Sequence, residues 1–234
     1  MLILAFETSA KSASVALSMD GKLLGESYQN TGLTHSQTLM VMAQDLLKQC
    51  GYGPQDLDAV AVAAGPGSFT GVRIGVAAAK GLAWGLEKPC YGVSTLESMA
   101  LGLGAFEGTV CPVMDARRSQ VYNALFEARE GRLTRLAEDR AISLEDLAAQ
   151  LQTAKQPIYL VGDGSELTWR TLKDRVPGLV KPAEHRMHQR GAGVALAACE
   201  AIARGESGDA AALEPNYLRL SQAEREKLER ENKK

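Results

Sequence analysis

The stretch from Leu57 to Gly75 constrains the fold more than any other part of the chain. Leu57 to Ala64 is an apolar run containing the β-branched Val60 and Val62, bounded by Pro54 and Gly65, the pattern of a strand covered on both faces. It feeds into Gly65-Pro66-Gly67-Ser68-Phe69-Thr70-Gly71-Val72-Arg73-Ile74-Gly75, and a helix is predicted over Phe69 to Leu86. A glycine-rich turn opening a helix can cradle phosphate on its free N–H groups, but this spacing matches neither GxGxxG nor GxxxxGK[ST]. Gly67, Gly71, Gly75 and Ala79 instead recur every four residues, which clears one helix face for another backbone to approach. Helix packing is therefore the preferred reading.

On either side of this centre the hydrophobic period switches repeatedly. Ile3 to Phe6, Ala13 to Ser18 and Leu23 to Tyr28 read as strands, the last two joined by a hairpin at Asp20-Gly21. Leu39, Met42, Ala43, Leu46, Leu47 and Cys50 then fall on one stripe of a helix that starts near Thr34 and stops at Gly51. After the central helix come a strand, Cys90 to Val93, and a helix, Ser94 to about Leu103. The order then restarts: strands at Val110 to Met114, Val121 to Glu127 and Leu133 to Arg135, a helix at Leu144 to Leu151 capped by Ser143, a strand at Ile158 to Val161 and a helix at Ser165 to Arg175. An Ala-rich helix spans Gly193 to Arg204. With 234 residues, 45% of them hydrophobic, the chain can bury the core this requires. The expected fold class is α/β, two lobes of duplicated β-β-β-α-β-α order, the second degenerate. Residues 1–103, completed by the helix around 193–205, form the first lobe; 104–192 and 206–222 form the second; 223–234 are a charged tail with no binding role.

Charge and chemistry narrow the function. A net charge of -2 lacks the field needed to grip nucleic acid phosphates without help, so RNA is not expected to be held by this chain alone. Glu7 interrupts the apolar start and no basic leader precedes it, which leaves neither a signal nor a membrane span and points to the cytoplasm. Cys50, Cys90, Cys111 and Cys199 are scattered singly and read as reduced core residues. His185-Arg186-Met187-His188, beside Lys181 and Arg190, reads as a basic loop; it has no third ligand for zinc. His35 is placed to titrate at an interface. Met40 and Met42 on the first helix suit an adaptable contact surface, with core filling as the alternative. The two helices together suggest a helical interface, with Leu39, Met42, Ala43, Leu46, Gly71, Val72, Gly75, Val76 and Ala79 as its candidates. Asp115-Ala116-Arg117-Arg118 is either a turn clamp or a place where an arginine fork enters a cleft.

Ile3 to Ser9, Gly65 to Gly75, Gly92-Val93-Ser94-Thr95-Leu96-Glu97 and Met114 to Arg118 together resemble the bacterial TsaB (YeaZ) family, most densely before Arg118. The resemblance implies the actin/Hsp70/sugar-kinase (ASKHA) fold and a part in forming N6-threonylcarbamoyladenosine in tRNAs that read ANN codons. It further implies pairing with the catalytic paralogue TsaD and the ATPase TsaE, a homodimer when TsaD is absent, and tRNA contact through the complex. The paralogue's HxxxH metal ligands fall at Thr95 and Met99, neither of which replaces an imidazole. Its Gly-Gly phosphate hairpin is replaced by Asp115 to Arg118. The resemblance therefore implies a non-catalytic scaffold with no cofactor of its own. ATP or ADP and metal would be handled by partner subunits, a nucleotide at the shared interface staying open. Thr8, Ser9, Lys11, Asp115, Arg117 and Arg118 are the candidate cleft or interface contacts. The alternative is an actin-fold small-molecule kinase or a metallopeptidase acting alone.

Overall fold

A computed structural model describes residues 1–104 and 107–219. Strands β1 (Leu2–Glu7), β2 (Ala13–Met19) and β3 (Lys22–Gln29) form an antiparallel meander. Asp20 and Gly21 between β2 and β3 both take positive φ, 50° and 78°, the geometry a tight hairpin turn demands. Helix α1 (His35–Gln49), β4 (Ala59–Gly65), α2 (Phe69–Leu86), β5 (Cys90–Ser94) and α3 (Thr95–Leu103) follow. β4 lies parallel to β1 and β5 parallel to β4, giving the sheet order β3-β2-β1-β4-β5.

The second half repeats this path with β6 (Gly108–Asp115), β7 (Gln120–Arg129), β8 (Arg132–Ser143), α4 (Leu144–Leu151), β9 (Ile158–Val161), α5 (Ser165–Leu172), β10 (Leu179–Val180) and α6 (Gly191–Ala203). Its sheet order, β8-β7-β6-β9-β10, reproduces the first, so the duplicated actin-like architecture is present in full. The degeneracy lies in β10, two residues long, while β8 runs for twelve, far beyond the expected Leu133 to Arg135. β8 is an edge strand whose side chains alternate between exposed and half-buried, so most positions remain polar and carry no apolar signal. The Ser143 cap is as expected, its Oγ accepting from Asp146 N at 3.0 Å.

β1 shows how the layers arise. Leu2, Leu4 and Phe6 face α1 and α2, whereas Ile3 and Ala5 face α6, the period-two alternation of a strand. The inner face of the first sheet is paved with Ala5, Ala16, Ala59, Ala61 and Ala63 against Ala195, Ala197 and Ala198 of α6. In the second lobe α4 and α5 cover one face of the sheet. α3 covers the other, with Leu96, Met99, Ala100 and Leu103 against Val110, Ala124 and Phe126.

Two domain assignments change. α3 precedes the second lobe in sequence but its apolar stripe belongs to that lobe's core, and it crosses α6 where Gly102 meets Gly193. Residues 206–217 run along the first lobe, not the second: Gly208 O accepts from Cys90 N, Lys80 Nζ donates to Leu213 O at 2.8 Å, and Asn216 N donates to Ala64 O. An edge-strand amide, a lysine ammonium and a strand-end carbonyl of the first lobe recruit this segment. The chain crosses to the second lobe only at Arg219, whose Nη1 donates to Ala116 O at 2.6 Å. The charged tail, 223–234, lies outside the described residues.

Candidate functional site

The parallel strands of both sheets point their carboxyl ends at the line between the lobes, where an α/β protein places its chemistry. The hairpin between β1 and β2 occupies that line. Thr8 and Ser9 are buried: Thr8 Oγ1 donates to Gly71 O at 2.8 Å, and Ser9 O accepts from Ser68 N at 2.7 Å. A Cβ on Gly67 would lie 2.6 Å from Ser9 O, and one on Gly71 or Gly75 would strike the Thr8 carbonyl or hydroxyl oxygen. The bare helix face thus receives a backbone, as its spacing implies, but the backbone is this chain's own hairpin.

At the hairpin tip Ala10 packs against the second-lobe cluster of Leu96, Met99 and Val161, and its carbonyl meets His35 Nε2 at 2.8 Å. The lobes are closed on each other here. Beneath the tip Glu7 is fully buried, Oε1 accepting from Ser9 N at 2.6 Å and Oε2 without a partner among the described residues. Burial pushes its carboxyl up to about 7, against the lowering pull of Ser9, with Asp163 adding to the rise. Asp163 is also raised, first by burial, while the Gln189 amide that donates to it at 3.0 Å pulls the other way. The hydroxyls of Ser9, Ser12 and Ser165 are buried nearby on the same elements without partners among the described residues.

Of the six expected cleft contacts, only Thr8 and Ser9 are enclosed. Lys11, Arg117 and Arg118 are exposed. Asp115 Oδ1 accepts from Arg117 N at 2.7 Å, a turn contact made at the surface and not a buried clamp. Arg117, Arg118 and Ser119 hold positive φ of 66°, 56° and 57°, the left-handed backbone that glycine adopts at lower cost. Thr95 and Met99 are buried on α3, Met99 in the core.

The interface expectation needs correction at every residue. Leu39, Met42, Ala43, Leu46, Gly71, Val72, Gly75, Val76 and Ala79 are all buried within the first lobe, because an apolar stripe at helical spacing is what the sheet itself recruits. The same helices leave a different set outside. Trp84 is 73% exposed and Met40 44%; Ala77, Gly81 and Gly85 are exposed, with open space beside the last two. Val41 is also exposed but lines the groove between α1 and β3. Trp84 was missed, although its position out of phase with Val72, Val76, Ala79 and Ala83 marks it as outward. No described helix is long and apolar enough to cross a membrane. The thiols of Cys90 and Cys111 are buried and pushed up to about 12, as inert core residues.

The family model described as "TsaD: tRNA N6-adenosine threonylcarbamoyltransferase" matches residues 29–227. The chain is 35% identical over 231 residues to the tRNA threonylcarbamoyladenosine biosynthesis protein TsaB of Bacillus subtilis, covering 98% of this chain and 99% of that one. It is 34% identical to TsaB of Escherichia coli over 94% and 95% of the two chains. Among solved structures YeaZ from Pseudomonas aeruginosa superposes with a TM-score of 0.74 at 28% identity, over 93% of this chain and 99% of that one.

Proposed function

The chain belongs to the TsaB family of tRNA threonylcarbamoyladenosine biosynthesis proteins, and from that premise we propose that it is the non-catalytic, activating subunit of a tRNA threonylcarbamoyl-transferase complex. The observation that carries this reading is the closed seam between the lobes. A catalyst of this architecture works at the carboxyl ends of β1 and β6, and here Glu7, Thr8 and Ser9 are covered while Ala10 fills the space between the lobes. Thr95 and Met99, where the catalytic paralogue has its metal ligands, are a hydroxyl and a thioether that do not replace imidazole. A kinase or peptidase acting alone would need that seam open.

The partner in this proposal is the catalytic paralogue TsaD, with the TsaE ATPase joining the assembly, ATP or ADP and metal held by those subunits, and tRNA reached through the complex. The contact is assigned to the outer face of α1 and α2, around Met40, Ala77, Gly81 and Trp84, in place of the buried stripe. A large aromatic beside small residues is the anatomy of an anchor that another helix can cover. The same face serves a homodimer when TsaD is absent.

Reconstituting tRNA modification from purified components, with and without this chain, tests the role. Omission should abolish modification, and the chain alone should turn over neither ATP nor a peptide. Trp84→Arg should remain folded by circular dichroism, yet lose TsaD in a pull-down and lower modification at limiting concentration. Full modification without the chain, or turnover by the chain alone, overturns the proposal.

A further inference from the structure

The basic loop singled out in the sequence borders a cavity that the subunit role does not use. A space of about 280 Å³ opens between the lobes beside the closed seam, sharing Met99 and Val161 with it, where α3 crosses α6. Its floor is apolar, from Met99 and Leu103 of α3 and Val161 at the end of β9, beside the close crossing of Gly102 and Gly193. Its rim carries His185, Arg186, His188 and Arg190.

The rim's one acid is already committed. Glu26 Oε2 accepts from Arg190 Nε at 3.0 Å, and Oε1 accepts from Ala192 N at 3.1 Å and from Ser14 Oγ at 3.0 Å. Glu26 thereby neutralises Arg190 and caps α6. His188 Nε2 lies 3.1 Å from Glu184 Oε1. Arg186 has no acidic partner among the described residues, and it is an exposed residue of the cavity lining. The loop is nonetheless fixed: Met187 is buried with its carbonyl accepting from Gly162 N at 2.6 Å, and Gln189 is buried against Asp163. A guanidinium and two imidazoles are thus carried beside an apolar floor on a loop whose backbone is anchored at Met187 and Gln189.

We propose that this cavity binds a small organic anion, with a carboxylate or phosphate head on Arg186 and the two imidazoles and a short apolar body on Met99, Leu103 and Val161. The volume lies just below the range of about 300–1,000 Å³ usual for small-molecule sites, which restricts the ligand to a compact metabolite. The guanidinium fork pairs with either head.

The three histidines make the test local, because His185 and His188 border the cavity and His35 sits on the other lobe's first helix. Phenyl phosphate, benzoate and inorganic phosphate are titrated separately into the full chain while the imidazole signals are followed by NMR. Expected is saturable, coupled movement of His185 and His188 with His35 unmoved, by phenyl phosphate or benzoate, the tighter of the two identifying the head. Inorganic phosphate should bind more weakly than phenyl phosphate, and Arg186→Ala should weaken the better ligand about tenfold or more at unchanged melting temperature. The inference is overturned by no movement at millimolar ligand, by equal movement of all three histidines, by inorganic phosphate binding as well as the aromatic probes, or by Arg186→Ala binding normally.

Discussion

Gly71 and Gly81 lie ten positions apart on the same helix and should respond to alanine with opposite signs. A Cβ on Gly71 collides with a backbone carbonyl that cannot step aside, whereas one on Gly81 meets nothing within 4 Å. Gly71→Ala should lose ~1–3 kcal/mol, and Gly81→Ala should gain about 0.5–1 kcal/mol from helix propensity, both read from urea midpoints. A stable Gly71→Ala would mean that the hairpin does not seat on α2. Glu7 gives a second residue-level prediction. Its folded form keeps a proton between pH 4.5 and about 7 that the unfolded chain has released, so stability falls as pH rises through that window and levels off above it. Glu7→Gln cannot titrate, and its stability relative to the parent should climb across the window by at most about 3 kcal/mol. Parallel pH profiles would show that Glu7 is not held protonated. The glycine spacing was legible in the sequence because it states which helix face is bare. What fills that face was not, since Thr8 lies sixty-three residues away.

Within α1, neighbouring methionines separate core from surface. Met42 is 4% exposed and Met40 is 44% exposed. Met42→Arg buries an unpaired charge and should cost several kcal/mol, around the ~4 kcal/mol that marks severe substitutions. Met40→Arg should stay within about 0.5 kcal/mol of the parent and act only on association, with thermal melts and sedimentation separating the two. Equal destabilisation by both would refute the assignment of faces. Helix periodicity identified α1 from its stripe, because a stripe is the condition for packing on a sheet. It erred in offering that stripe to a partner. One hydrophobic face cannot serve both, and the protein's own sheet, at far higher effective concentration, takes it first. Most of β8 beyond Leu133 to Arg135 escaped notice for a related reason: an edge strand is selected for polarity, which erases the signal that reveals central strands.

The two lobes are joined by the α3–α6 layer, by Ala10, and by an ion network that crosses it. Glu97 of α3 reaches Arg135 of β8 at 3.0 Å and Arg204 beyond α6 at 3.7 Å, while Asp139 takes Arg135 at 2.7 Å and Ser94 Oγ at 2.5 Å. Such joining makes one folding unit. The chain has two tryptophans, Trp84 on α2 in the first lobe and Trp169 on α5 in the second. Trp84→Phe and Trp169→Phe variants should therefore report coincident urea transitions by fluorescence once corrected for each substitution's effect on stability; separated midpoints would show lobes that unfold independently. At this scale the amino-acid order alone determined the duplicated lobes, the hairpin, the α4 cap and the family, since each depends on local period or on residues adjacent in sequence. Only the tertiary structure decided that α3 belongs with the second sheet, that residues 206–217 bind the first, that the seam is shut and which helix faces remain open. Those outcomes depend on which apolar surfaces find each other across long sequence separations, and on the residual polar groups left to be satisfied, neither of which a linear pattern encodes.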